Sequence, residues 1–413
     1  MAHEWQHMWP QVWLVAGLAR DVAESGEYFV HNLGRESILV TCDNDLNVNA
    51  FYNVCQHRGA RVMVNERGWV RDVVCPYHGW TYNHAGDLTV VPDEAQFAGG
   101  VSCAERSLKP VRCEVWAGLV WVCMDEDAEP LADYLGPLAG MIEPYRIGEM
   151  TLVQDQTVRL NCNWKAIFDN FGELYHVEHI HPQHASIFDC PTAKVGLYRH
   201  GHTGVFIDGF TVNSRLPIPD DPPPHMAGQL QRLGIDPDDY QGRVLDVRAD
   251  VQRRRRELGP ELGYDYSTLS DEQLSDIVQF NVFPNTMITV QPDNMLIMRA
   301  RPDPVDPNWC WWDKWTYIMT PNEGGRAEPG ALAFSPRGDP RVDPTARPER
   351  DEFTQQDIID GAKTMTITID QDVHLIRDVQ AGMHSRGFDT ALLSEEEIRV
   401  THFHHWLDHV LDQ

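Results

Sequence analysis

Two short segments constrain this chain more than any other feature: NVCQHRGARV from Asn53 and VVCPYHGWTY from Val73. Each carries one cysteine and one histidine, in the order Cys55-x-His57 and then, after seventeen residues, Cys75-x2-His78. Thiolate and imidazole are both strong ligands for transition metals. Two loops that bring these four side chains together would enclose one bound inorganic group.

A zinc finger groups its cysteines in one pair and its histidines in another, whereas here each segment gives one of each. Four unrelated core residues, or a zinc site, is the competing reading. Interleaving suits a [2Fe-2S] cluster in which one iron takes two thiolates and the other two imidazoles, a Rieske centre. Cys55 and Cys75 then hold one iron, and His57 and His78 the other. Gly59, Gly79 and Pro76 fit loops that bend tightly so that backbone N–H groups reach the cluster sulfurs. Neutral imidazoles also raise the potential, into a range of about −150 to +300 mV.

The rest of the sequence fits a soluble metalloprotein. Nine cysteines, an odd number in a long chain, argue against a disulfide framework. Met1 to Arg20 lacks a signal-peptide pattern, and no run approaches the eighteen apolar residues of a membrane span. A soluble, cytoplasmic protein is expected, with no membrane association. Thirty-four basic against sixty-two acidic residues give a formal charge of −28, which repels phosphate backbones and excludes a nucleic-acid partner. The RRRR run at Arg253 to Arg256 reads as the solvated face of a polar helix.

At 413 residues the chain has room for two domains. Short alternating runs such as ILVTCD and WAGLVWVCM predict an all-β domain over 8–125, which holds both Cys-His pairs. The acidic, proline-containing 126–148 stretch reads as a linker opening a second domain, 126–413. There, MTLVQDQTVRL, VQFNVFPNTMITV, NMLIMRARP and WCWWDKWTYIMT are strand-like, and the chain ends in two helix-like segments. Between them, 216–273 reads as an insertion. The fold class is therefore α+β.

The second domain offers a second metal site. FGELYHVEHIHPQH holds four histidines in nine residues, and non-haem Fe(II) sites use two histidines and a carboxylate on one face. Trp164, Ile167, Phe168, Phe171, Leu174 and Tyr175 recur at helical spacing, which puts Asp169, Glu173 and His176 on the opposite face. Pro182 biases His181 out of helical geometry and can turn it back towards His176. Spacing alone equally allows His176 with His179. For the carboxylate, Ile369, Val373, Ile376, Val379 and Met383 form an apolar stripe, and Asp372 falls within its arc. A buried acid needs a partner or a metal, so Asp372 is the third ligand and Asp370 the reserve. The bland reading of Asp372 is a helix-start residue satisfied by backbone N–H groups.

CQHRG with CPYHGW, NWK…DNFGELYHVEHIH and VQAG occur in the order seen in the Rieske non-haem iron (ring-hydroxylating) oxygenases, and the chain resembles their terminal oxygenase component, the alpha subunit. Only the region from about Leu216 to Gln273 has no counterpart. The resemblance implies an N-terminal Rieske [2Fe-2S] domain and a C-terminal helix-grip (START-like) catalytic domain with an antiparallel sheet. It selects His176 and His181 with Asp372 for a mononuclear Fe(II). It gives Glu173 the role of joining His176 to His78 of a neighbouring subunit, which requires a ring, most simply a homotrimer. The implied activity is hydroxylation of an aromatic or other apolar organic substrate with O2 and electrons relayed through the cluster. The alternative is a monooxygenase or demethylase acting on a quaternary ammonium or N/O-methyl compound. The segment between Asn170 and Glu173 is one residue shorter than in the naphthalene-dioxygenase type, so no role passes to Asn170.

No dinucleotide or flavin fingerprint is present, so electrons from NAD(P)H would arrive through a separate reductase, with or without a ferredoxin. Trp309, Trp311, Trp315 and Tyr317 share one strand face, for packing or, less simply, an aromatic cage. Phe283, Met287, Met295 and Met298 are core residues that could line an apolar pocket. A reading of another class makes the first domain an electron carrier and the second a ligand binder without iron.

Overall fold

The computed structural model describes residues 1–184, 188–319 and 347–412. They form two compact units, Met1–Tyr134 with Val410–Gln413, and Leu135–His409. The division falls inside the 126–148 stretch.

After a short helix α1 (Ala2–His7), the first unit contains β1 (Leu14–Leu18), β2 (Glu27–Leu33), β3 (Glu36–Cys42), β4 (Val48–Tyr52), β5 (Arg67–Trp69), β6 (Val73–Val74), β7 (Thr81–Tyr82), β8 (Leu88–Val90), β9 (Pro110–Trp116) and β10 (Leu119–Cys123). Seven of these strands make a sheet in the order β1-β10-β9-β4-β3-β2-β5, and β6-β7-β8 make a small second sheet. Their pairings are antiparallel. The first Cys-His segment follows β4 and the second joins β6 to β7. Tyr28, Leu39, Phe51, Val73, Trp80 and Tyr82 bury a core directly around Cys55 and Cys75, so the loops are anchored by apolar packing on both sides.

Helix α2 (Leu131–Leu135) spans the division between the units, and α3 (Pro137–Ile142) follows in the second. Then come β11 (Thr151–Leu160), α4 (Trp164–Asn170), α5 (Val177–Ile180), β12 (Lys194–Leu197), β13 (Thr203–Ile207), α6 (Pro224–Arg232), α7 (Val247–Leu262), β14 (Ile277–Val282), β15 (Thr286–Val290), β16 (Asn294–Pro302), β17 (Cys310–Ile318), β18 (Arg350–Thr354), α8 (Gln355–Ile359), α9 (Ile367–Met383) and α10 (Ile398–Leu411). The sheet order is β12-β13-β14-β15-β16-β17-β11-β18. It is antiparallel as expected except at β11–β18, which run parallel. Burial on both faces explains the apolar runs of its central strands. Where charge enters, it is paired: buried Asp313 accepts from Arg299, Arg301 and Thr157.

Four sequence expectations change. The helix read from Trp164 to Tyr175 is broken, with α4 ending at Asn170 and α5 starting at Val177. Gly172 lies in the break against α10, where a Cβ would stand 2.9 Å from Val400 Cγ2 and 3.0 Å from the Asp169 carbonyl oxygen. On α9 only the first part of the stripe is covered: Ile369, Val373 and Ile376 are buried, whereas Val379 and Met383 are 50% and 47% exposed. On α7 the RRRR run is not wholly solvated, because Arg255 is 8% exposed. Finally, both faces of β17 are buried: Trp312, Trp315 and Tyr317 are all core residues, and the cation over Trp309 and Trp311 is the chain's own Arg159, at 4.6 and 5.6 Å.

Candidate functional site

In the first unit the two Cys-His loops are built alike. Gly59 N–H donates to the Cys55 carbonyl and Gly79 N–H to that of Cys75, while Cys55 N–H and Cys75 N–H donate to the carbonyls of Ala60 and Trp80. Both turns need a left-handed residue, and Gly59 and Gly79 supply it at φ +78° and +72°. Cys55 and Cys75 are each 2% exposed. The His57 and His78 rings lie 4.7 Å apart, and His57 stacks on Trp80 at 4.9 Å. Burial, with His78, Arg58 and Arg106 adding to it, lowers the His57 pKa and favours the neutral ring, and its buried Nδ1 has no hydrogen-bond partner. The Tyr82 hydroxyl accepts from Gln56 N–H at 3.0 Å and lies 3.4 Å from Cys55 Sγ, placed to donate to it.

In the second unit, His176, His181 and Asp372 offer ligand atoms that all lie within 4.8 Å of one another. Local structure explains each position. His176 is the residue before α5, and Glu173 takes both its backbone N–H, at 3.1 Å, and its Nδ1. His181 leaves helical geometry at φ −116°, ψ 60°, as Pro182 predicts. Its Nδ1 sits 2.8 Å from Gln371 Oε1, which also accepts from Gln183 Nε2 at 2.8 Å. With Nδ1–H donating to Gln371, the Nε2 lone pair of His181 faces Asp372 Oδ1 at 3.1 Å, and that of His176 faces it at 3.6 Å. Asp372 is 4% exposed and its Oδ1 has no hydrogen-bond partner. A buried carboxylate oxygen between two imidazole lone pairs is a donor set in want of a cation. Burial opposes protonation of His181, but Asp372 outweighs it and raises the pKa.

The other candidates fall elsewhere. Asp370 accepts from Thr364 and from Met365 N–H, capping the approach to α9. Asp169 accepts from His404 Nε2 at 2.8 Å, tying α4 to α10. His179 is exposed. His184 bonds Thr368 Oγ1 at 2.8 Å, and burial, with His181 and His225 adding to it, pushes it down to about 4, which keeps it neutral. The three donors border a cavity of about 130 Å³ whose apolar walls include Phe171, Leu174, Val177, Ile207, Leu296 and Met298. Phe283, Met287 and Met295 are core residues outside that lining. Sequence reasoning missed Gln371, which neighbours Asp372 in the chain, and Arg399, which is 1% exposed with both Nη atoms unpartnered. Burial lowers the Arg399 guanidinium to about 10, against the pull of Glu173.

A β unit with twin Cys-His loops and a sheet-and-helix unit with a two-histidine, one-carboxylate cluster offer donor sets for two metal centres. Comparison with known proteins is specific about which. Residues 147–413 match the model for the ring hydroxylating alpha subunit (catalytic domain), and residues 12–111 that for the Rieske [2Fe-2S] domain. The chain belongs to the ring-hydroxylating alpha-subunit family. It is 32% identical over 178 residues to the glycine betaine monooxygenase oxygenase subunit of Pseudomonas aeruginosa, covering 43% of this chain and 41% of that one. It is 35% identical over 185 residues to the large oxygenase component of the naphthalene 1,2-dioxygenase system of Pseudomonas putida, with the same coverage, 43% and 41%. The matched part thus spans about two fifths of these relatives' length. Among solved structures, a quaternary ammonium Rieske monooxygenase of carnitine oxidation superposes with TM-score 0.68 at 18% identity, covering 99% of this chain and 91% of that one. Naphthalene 1,2-dioxygenase with indole bound superposes with TM-score 0.67 at 20% identity, covering 100% and 89%. At these identities the likeness is one of fold.

Family membership implies a Rieske [2Fe-2S] cluster and a mononuclear iron. The donors fit both: two buried thiols with two neighbouring imidazoles, and the orphaned Asp372 Oδ1 with two oriented Nε2 atoms.

Proposed function

We propose that this chain is a terminal oxygenase component that uses O2 to oxidise an apolar organic compound, most simply one of single-ring size. What carries the reading is the cluster of His176, His181 and Asp372 at the wall of an apolar cavity. When bound, the [2Fe-2S] cluster held by Cys55, His57, Cys75 and His78 supplies single electrons, and Fe(II) in the His176, His181, Asp372 set supplies the place where O2 is reduced. Glu173 and Gln371 fix the two imidazoles by their Nδ1 atoms, so that both Nε2 atoms stay aimed at one point. The apolar walls orient the substrate and exclude water from the reacting atoms. A dry apolar cavity of ~150 Å³ suffices for benzene, so about 130 Å³ suits a single ring.

Glu173 is placed in this reading as the connection between His176 and His78 of the partner subunit, in a ring of three copies. Its supports are the family membership and the engagement of Glu173 with His176. The electron donor is a reductase, with or without a ferredoxin, since the sequence has no nicotinamide or flavin fingerprint. A quaternary ammonium substrate would want several aromatic faces around its charge. Among the described residues, the rings in the lining other than histidines are Phe171 and Phe188, which favours the arene.

The test is reconstitution of iron-loaded protein with NADH and a reductase and ferredoxin from a related system, with toluene as probe under ¹⁸O2. An ¹⁸O-labelled hydroxylated product is expected. Labelled product from choline-type compounds but from no arene would overturn the substrate assignment. No labelled product from either class, with both centres loaded and reduced, would overturn the oxygenase reading.

A further inference from the structure

A second cavity, of about 30 Å³, lies beside the first, between the 216–273 insertion and the segments flanking β14 and β15. Phe188 and Gln291 line both cavities. The two cavities therefore adjoin at those two residues. The outer wall of the smaller cavity is built by the insertion, with His225, Met226 and Gln229 from α6 and Arg255 from α7. The hydrophobic cluster of Phe210, Met226, Leu230, Tyr240, Val247 and Val251 holds these helices in place.

The smaller cavity is polar in a specific way. Arg255 and Asp293 are 8% and 4% exposed. Arg255 Nη1 donates to the Leu274 carbonyl, and its Nη2 stands 3.8 Å from Asp293 Oδ2. Arg255 Nε and Asp293 Oδ1 have no partner. The neighbouring Asp276 is satisfied by Arg248 at 2.7 Å and Ser275 at 2.7 Å. His225 is pushed down by burial and by Arg232, so it is neutral near pH 7. Arg248 pairs with Asp276, and Arg255 opposes the upward push that burial gives the Asp293 carboxyl. Among the described residues, the buried atoms of this lining left without a partner are one N–H donor, Arg255 Nε, and one carboxyl acceptor, Asp293 Oδ1. An unmade hydrogen bond at a buried group is costly, so both atoms favour a ligand that completes them.

We infer that Arg255 and Asp293 form a subsite for a neutral polar group carrying an acceptor and a donor side by side, as a primary carboxamide does, on a substrate whose apolar body occupies the larger cavity. The inference rests on the proposed oxygenase reading for the body of the substrate, and it gives the insertion a function. A carboxylate in the same place meets Asp293, and an ammonium meets Arg255, so a net charge of either sign is disfavoured.

The test is calorimetric titration of the anaerobic holoenzyme, without reductase, using 2-phenylacetamide, phenylacetate and 2-phenylethylammonium, which are similar in size. The amide should bind about tenfold or more tighter than either ion, about 1.4 kcal/mol. Arg255→Met should abolish that advantage and favour the ammonium, and Asp293→Asn should shift preference towards the carboxylate. Should Arg255→Met fail to fold, Asp293→Asn, nearly isosteric, still reads the charge logic. Equal affinities, as for a cavity holding only water, would overturn the subsite. So would an ion binding tightest to the wild type, no binding by any probe, or an unchanged order in the folded variants. Iron content measured on the same samples tests the oxygenase reading separately.

Discussion

The arrangement at His181 makes a quantitative prediction for Gln371→Met. The substitution keeps side-chain length and removes the acceptor that takes His181 Nδ1–H at 2.8 Å and Gln183 Nε2 at 2.8 Å. His181 is 2% exposed, so no water replaces the lost partner. One net hydrogen bond is worth ~1 kcal/mol, and an orphaned buried donor adds about 1–3 kcal/mol. The imidazole is also freed to carry its proton on Nε2, the wrong tautomer for a ligand. Loss of such a supporting group commonly weakens metal binding ~10–100-fold, equivalent to about 1.4–2.7 kcal/mol. The assay is competition for Fe(II) with a chelator of known affinity, using the visible spectrum of the [2Fe-2S] cluster as an internal control for folding. Mononuclear iron should bind at least about tenfold more weakly with the cluster spectrum unchanged, and Gln371→Glu, which restores an acceptor, should retain affinity. Unaltered iron affinity in folded Gln371→Met would refute the claim that Gln371 sets the His181 tautomer.

Three further outcomes follow from the same geometry. Tyr82→Phe deletes the hydroxyl 3.4 Å from Cys55 Sγ; since hydrogen bonds to sulfur favour the reduced cluster, voltammetry should find a lower potential with iron and sulfide content unchanged. Gly172→Ala forces a Cβ to within 2.9 Å of Val400 Cγ2 and 3.0 Å of the Asp169 carbonyl oxygen, so thermal unfolding should show a loss of about 1–3 kcal/mol, partly recovered in a double variant with Val400→Ala. The His404 pKa is raised: burial works against the charged form, and Asp169 outweighs it. A raised folded-state pKa gives stability that is full below the ordinary histidine value and lost as pH rises through the folded value. The melting temperature should therefore fall on going from about pH 6 to 8, and Asp169→Asn should flatten that fall.

Much of the site could be read before the structure because its chemistry is local in sequence. Each Cys-His loop carries its own ligands and its own glycine, and Pro182 announces the turn that separates His181 from α5. Asp372 could be separated from Asp370 by the apolar arc it shares with Ile369, Val373 and Ile376, whereas Asp370 accepts from Thr364 and from Met365 N–H. What could not be read depends on neighbours distant in sequence. Helical spacing ran on past Asn170 because periodicity does not register that Val400 occupies the space beside Gly172. The stripe on α9 fades at Val379 and Met383 because apolar spacing does not report where the covering surface stops. Arg255 resembled its three neighbours until the fold placed it beside Asp293, and Phe283, Met287 and Met295 were indistinguishable by composition from the lining residue Met298.

In the proposed reading, one chain holds a Rieske cluster and a separate mononuclear iron at His176, His181 and Asp372. Total iron and acid-labile sulfide per chain on anaerobically purified protein, compared between wild type and Asp372→Ala, test it most directly. About three irons and two sulfides, falling to about two irons and two sulfides in the variant, is the expected result. Two irons and two sulfides in iron-reconstituted wild type would contradict the account and leave an electron carrier joined to a unit without a catalytic metal.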